Sequence, residues 1–185
     1  MSYFSHLECS VPCGAPALDP RREHHLCQCG APLLVGYDLD AARAWTRDTL
    51  AGRPANMWRY RELLPLFDDE QPLTLGEGWT PLIHASRLGA DLGVERLFVK
   101  DESLNPTNSF KARGLSAAVT RAKYLGAKTL SVPSAGNAAN AMAAYAAAAG
   151  LEAKVFMPRD VKRPFIQECE LYGAEVNLVD RKSVV

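Results

Sequence analysis

From Leu73 onward, short apolar runs alternate with stretches of helical periodicity, and this alternation leaves few folds open to the chain. "RLFVK" (96–100), "KTLSVPS" (128–134), "EAKVFMP" (152–158) and "EVNLVD" (175–180) read as strands. Between them, "SFKARGLSAAVTRAKYLGA" (109–127), the alanine-rich "GNAANAMAAYAAAAG" (136–150) and "RPFIQECELYGA" (163–174) read as helices. Gly150 supplies a left-handed cap and Pro164 suits a first helical turn. Strand and helix in strict alternation predict an α/β fold: a parallel sheet with right-handed crossovers and flanking helices, in three layers. The strand runs are apolar on both faces, as in buried parallel strands. The chain stops at "DRKSVV", just after a strand, which would leave apolar surface uncovered. The sheet is therefore expected to be incomplete, part of something longer.

The preceding residues differ in texture. Residues 1–38 are rich in Cys, His, Gly and Pro, and are expected to form a small ribbon held by something other than an apolar core. Residues 39–72 carry Trp45, Met57, Trp58, Tyr60, Leu63, Leu64 and Phe67 at roughly helical spacing, predicting one or two amphipathic helices laid on the α/β domain of residues 73–185. Basic and acidic side chains balance at 21 each, so no global field collects nucleic acid or anionic lipid; small molecules or other subunits are the expected partners. The first residues, "MSYFSHLECSVPCG", lack a basic start followed by an apolar core, and no apolar run reaches the roughly 18 residues a membrane span needs. A cytoplasmic, reducing setting follows, in which five cysteines read as thiols or metal ligands.

Two helix starts are chemically loaded. Ligands of parallel sheets sit beyond the carboxyl ends of strands, against helix N-termini. Ser134-Ala135-Gly136-Asn137 lies at such a place; on spacing alone it reads first as an ordinary cap and turn, and second as a loop where Gly136 admits close approach by a ligand. Lys111 begins the helix after "NPTNSF". The positive end of a helix macrodipole, and burial against Phe110, would favour its neutral amine, as imine chemistry requires. A lysine snorkelling to solvent beside Arg113 is the alternative.

The two stretches together, in this order on consecutive βα units, resemble the fold-type II pyridoxal-phosphate enzymes related to the tryptophan synthase β chain, and among them the threonine synthases. The resemblance rests on "GEGWTPL" (76–82), "VKDESLNPTNSFKARG" (99–114), "VPSAGNAANAMAAYAAAAG" (132–150) and "VFMPRDVKRPFIQECELYGAEVNLVD" (155–180). It implies that Lys111 carries pyridoxal 5'-phosphate as an imine and shuttles protons. It also implies that Asn137, Gly136 and Ser109 help to hold the cofactor, and that Ser134, Ala135 and Asn137 receive the substrate carboxylate. The implied reaction converts O-phospho-L-homoserine to L-threonine and phosphate, with a homodimer as the full-length form. Two positions depart from the common pattern: Asn108 stands where many members have glycine, and Ala112 where they have aspartate. "SFKARG" also suits serine/threonine dehydratases of the same fold. The family's cofactor-phosphate loop is expected beyond residue 180, so activity is expected of the parent enzyme and not of these 185 residues alone. A non-catalytic fragment that binds a partner through its open sheet edge is a further reading.

Cys9-x₃-Cys13 and Cys27-x-Cys29 resemble the four-cysteine ribbon at the front of some threonine synthases, which implies zinc. The usual knuckle spacing is two residues, and here it is three and one, so His24 or His25 stand as substitute ligands. A metal-free knuckle packed on Leu33, Leu34 and Tyr37 is the alternative. Cys169 reads as a core thiol. A zinc-ribbon nucleic-acid module is disfavoured by the absence of a basic cluster.

Overall fold

A computed structural model describes residues 1–180. The chain opens with a two-stranded antiparallel ribbon, β1 (Phe4–Cys9) and β2 (Leu33–Tyr37). A four-residue helix α1 (Leu39–Ala42) follows, capped by the Asp38 carboxylate on Ala41 N–H. Two 3₁₀ stretches, Arg47–Leu50 and Met57–Leu63, complete the region where amphipathic helices were expected. The helical spacing of Trp45 to Phe67 therefore does not produce long helices. Gly52, Pro54 and Pro65 interrupt the segment, and Met57, Trp58 and Leu66 form their own cluster, packed against Ala117.

The later elements are β3 (Leu82–His84), α2 (Ser86–Leu92), β4 (Phe98–Lys100), α3 (Lys111–Tyr124), β5 (Thr129–Pro133), α4 (Asn137–Ala149), β6 (Glu152–Pro158), α5 (Arg163–Leu171) and β7 (Glu175–Val179). Strands β5, β6 and β7 form a parallel sheet in chain order, joined by α4 and α5. Each of these elements lies within three residues of its predicted bounds. The exception is the run at 96–100. Its strand β4 pairs antiparallel with β3 in a separate two-stranded sheet, Leu82 opposite Lys100, and does not join the parallel one. Apolar character alone cannot distinguish these pairings, and α2 returns the chain so that Ala85 N–H reaches Leu97 O, closing β3 onto β4. Nor is burial on both faces general: Leu82, Ile83, Phe98 and Val99 are all exposed, and in the parallel sheet β5 and β7 contain no buried residue and β6 alone holds buried side chains, because helices cover the sheet only in part.

Helix α4 is the centre of the domain. Alanine is the best helix former and removes the side-chain bulk between neighbours, so α4 is buried over nearly its whole length, from Ala139 to Ala146. One side packs with Val155, Met157, Cys169 and Ala174; the other packs with Ala112 and Val119 of α3 through Tyr145. Gly150, at φ 70°, closes it in the left-handed conformation expected. Cys169 is the core thiol predicted, fully buried and donating to Asn140 Oδ1 at 3.2 Å, and burial pushes its pKa up to about 11. The segment 181–185, part of the ending from which an incomplete sheet was expected, lies outside the described residues.

Candidate functional site

The loop into α3 is tightly pinned. Asn105 is buried; its Nδ2 donates to the backbone and carboxylate of Glu102, and its Oδ1 accepts from Gly78 N–H at 2.9 Å. Pro106–Asn108 then turns through two left-handed residues, Thr107 (φ 57°) and Asn108 (φ 51°). Asparagine tolerates that conformation better than most side chains, which accounts physically for Asn108 at a position commonly glycine. For β-branched Thr107 the same geometry is strained, and strain of this kind collects at functional sites. Ser109 is buried, and its Oγ accepts from Lys111 N–H at 3.2 Å, tying the first residue of α3 to the turn. Ala112 is fully enclosed by Val119, Tyr145 and their neighbours, so a methyl group fits here and a carboxylate would be buried among apolar side chains.

Lys111 itself is half-buried at the start of α3. Its Nζ lies 4.7 Å from the centroid of the Phe110 ring and makes no hydrogen bond or ion pair among the described residues. Phe110 is 57% exposed, so it offers the amine a ring face and does not bury it as expected. Arg113 turns away, its guanidinium forked on Glu102 at 2.6 and 2.8 Å. That contact, with Thr80 and Asn105, holds the Glu102 carboxyl down at about 2.

The second helix start follows β5. Ser134 N–H donates to Phe156 O of the neighbouring strand, and Ser134 Oγ accepts from Gly136 N–H at 3.4 Å. Ala135 and Asn137 are exposed, and the Asn137 carboxamide has no hydrogen-bond partner among the described residues. A Cβ on Gly136 would meet nothing closer than the Phe165 ring at 3.8 Å. The loop thus leaves open space before it, at the carboxyl end of a parallel strand and the N-terminus of a 13-residue helix. The loop that precedes Lys111 packs against α4, so the two helix starts belong to one body. No hydrogen bond joins Lys111 to Asn137.

What the sequence did not signal is Glu77. A glutamate between two glycines in a loop reads as solvated, yet Glu77 is fully buried. Its Oε1 accepts from Trp58 Nε1 (2.8 Å) and Ser116 Oγ (2.6 Å); its Oε2 accepts from Thr74 Oγ1, Leu75 N–H and Tyr145 Oη. One carboxylate therefore ties the 3₁₀ segment, the entry loop, α3 and α4 together. Burial and this carboxylate push the Tyr145 phenol above its ordinary value.

The ribbon gathers four thiols whose sulfurs all lie within 4.8 Å of one another. Cys9 Sγ is 3.5 Å from Cys29, and Cys13 Sγ is 3.6 Å from Cys27. A tetrahedron with Zn–S bonds of about 2.3 Å has edges of about 3.8 Å, so the donor set and spacing fit a structural zinc site despite the odd knuckle spacings. His24 and His25 stand apart, engaged with Asp19 O and Glu23. The thiols share their protons unevenly. The Cys29 backbone N–H draws Cys27 down to about 7; at Cys9 the Val11 N–H opposes, but burial and the other three thiols prevail and push it up to about 12.

Pyridoxal phosphate needs a primary amine free to react, polar groups for a planar ring and helix-terminal amides for anions. An unpaired Lys111 amine, an unpaired Asn137 carboxamide and the open Gly136 loop fit that demand. Comparison with known proteins agrees. Residues 73–184 match the family described as pyridoxal-phosphate dependent enzyme. Threonine synthase of Methanocaldococcus jannaschii is 37% identical over 154 residues, covering 82% of this chain and 38% of that one. The threonine synthase of Methanosarcina acetivorans is 35% identical, covering 92% and 42%. The chain thus spans about two-fifths of the length of these relatives. Among solved structures, a pyridoxal 5'-phosphate-dependent aspartate racemase (TM-score 0.52, 28% identity) covers 55% of this chain and 32% of its own. Maize serine racemase (TM-score 0.51, 27% identity) covers 55% and 31%. With the family matched over more than half its length and a free lysine and carboxamide at consecutive helix starts, the chain belongs to the pyridoxal-phosphate dependent enzymes.

Proposed function

We propose that this chain is the lysine-bearing part of a threonine-synthase-type lyase, acting on O-phospho-L-homoserine to give L-threonine and phosphate. The observation that carries the reading is the agreement of two threonine synthases with this chain over 82% and 92% of its length, spanning both loaded helix starts. When bound, pyridoxal phosphate supplies an electron sink for the carbanion left by proton loss next to the substrate amino group. The residues of this chain do the rest. Lys111 Nζ is the attachment point and then the proton carrier, held in register by the Ser109 contact to its backbone N–H. Asn137 and the open backbone at Gly136 position the planar ring. Ser134, Ala135 and Asn137, at the amino end of α4, receive the substrate carboxylate, whose charge the helix terminus favours.

In the ribbon, Cys9, Cys13, Cys27 and Cys29 hold one zinc ion as thiolates, a structural site remote in sequence from the chemistry.

Borohydride reduction in the presence of pyridoxal phosphate, followed by peptide mapping, tests the site without requiring turnover. The pyridoxyl adduct is expected on Lys111, and an adduct on any other lysine refutes the assignment. Incubating the parent enzyme with O-phospho-L-homoserine and, separately, with L-threonine tests the reaction. Phosphate release from the first supports the reading, whereas ammonia release from the second alone would move the chain to the dehydratases, which "SFKARG" also suits.

A further inference from the structure

Arg113 of α3 helps to line a cavity of about 540 Å³, together with Arg59, Tyr60, Trp79, Thr80 and Lys100, among others. Lys111 and Arg113 are two residues apart, roughly 200° around the helix, so this cavity is separate from the lysine site. Its charge is uncompensated. Arg113 is neutralised by Glu102, but Arg59 and Lys100 form no ion pair among the described residues; their side chains donate only to backbone carbonyls, Arg59 Nη2 to Leu50 O and Lys100 Nζ to Thr80 O. The Arg59 Nε–H is buried with no partner among the described residues. Among the described residues no acidic side chain lines the cavity, and these two side chains give it two net positive charges.

The rim is strained as well as charged. Glu77 O accepts from Met57 N–H at 2.8 Å, and a Cβ on Gly78 would lie 2.5 Å from Met57 N. The loop thus passes the 56–57 backbone with no space between, and the next residue, Trp79, is forced to φ 53°. For a bulky side chain that conformation is a genuine outlier, of the kind that clusters at ligand clamps. The indole is thrown outward, 63% exposed, with the Arg59 guanidinium 4.2 Å from its ring centroid.

From these features we infer a second small-molecule site, for a phosphate monoester. A phosphomonoester is close to a dianion at neutral pH and offers three acceptor oxygens, which balances the two charges of Arg59 and Lys100 and suits a guanidinium fork beside an ammonium. The cavity exceeds the phosphoryl group in size and leaves room for an organic remainder against the faces of Trp79 and Tyr60. The site stands on its own geometry and does not depend on the proposed reaction.

Trp79 provides the test. Titration with inorganic phosphate, and with glycerol 3-phosphate, at constant ionic strength is expected to change tryptophan fluorescence saturably, with the monoester binding more tightly. Arg59→Gln and Lys100→Gln should each weaken binding by about tenfold or more, the loss expected for one charge-assisted contact. Trp79→Phe should abolish most of the optical change while calorimetry still records binding. Lys111→Ala should bind as the parent chain does. Thermal melts identify any variant that fails to fold, and Lys100→Met then replaces Lys100→Gln. Absence of a saturable response, equal affinity in folded Arg59 and Lys100 variants, or loss in Lys111→Ala alone overturns the inference, the last assigning the anion to the cofactor site.

Discussion

A carboxylate removed from water without a cation beside it is tolerable only if dipoles replace its hydration, and Glu77 shows how many are needed. Five donors converge on its two oxygens from four separate parts of the chain. Glu77→Leu takes their acceptor from Leu75 N–H, Thr74 Oγ1 and the Tyr145 phenol and leaves Trp58 Nε1 only Ser116 Oγ, so urea unfolding should show a loss of at least about 3 kcal/mol. Glu77→Gln should fall between, because its amide nitrogen must face a fixed N–H whichever way it turns, Trp58 on one side or Leu75 on the other. Nothing in "GEG" announced this, since burial of a polar side chain depends on partners as far away as Tyr145. The place of Lys111 at a helix start was legible from its own neighbours, its candidacy as the cofactor lysine only from the resemblance, and the exposure of Phe110 from neither.

Helix α3 is the element on which most of the molecule converges. It carries Lys111 at its start, Arg113 on Glu102 one side further round, Ser116 on Glu77, and Arg121 paired with buried Glu70 while also donating to Pro20 O in the ribbon. The Arg113–Glu102 pair makes the anchoring of α3 sensitive to acid. The folded-state pKa of Glu102 is depressed from the ordinary carboxylate value to about 2, so the stability the pair contributes is fully present above the ordinary range. It is lost as pH falls from the ordinary value of about 4.3 towards 2. Acid titration of unfolding should therefore be steeper in the parent chain than in Glu102→Gln across that window, and indistinguishable at neutral pH apart from a constant offset. The helix itself was readable from periodicity despite Gly114 within it; its cross-ties were not, because they join residues far apart in sequence.

The whole molecule sets a small ribbon against the α/β body, and the two differ in what holds them. The body has a continuous apolar core around α4, whereas the ribbon buries only Phe4, Pro20, Cys27 and Gly36 and leans on Arg121 and Arg21 for attachment. If the four thiolates hold zinc as proposed, chelation should expose residues 10–32 to protease while the far-UV signal of the sheet and α4 persists; protease resistance unchanged by metal removal refutes the role. No helix among the described residues is long and apolar enough to cross a membrane. The sequence by itself determined the strands and helices from α3 onward, which lysine and asparagine begin consecutive helices, and that four cysteines share one small segment. These are local properties, written in periodicity, capping and short-range spacing. Only the tertiary structure decided that β4 pairs antiparallel outside the main sheet, that Glu77 lies at the centre, that Cys9 faces Cys29, and that Arg59, Trp79 and Lys100 line one cavity. Each of those depends on which distant backbone closes on which, and that is fixed by burial and hydrogen bonding across the whole chain.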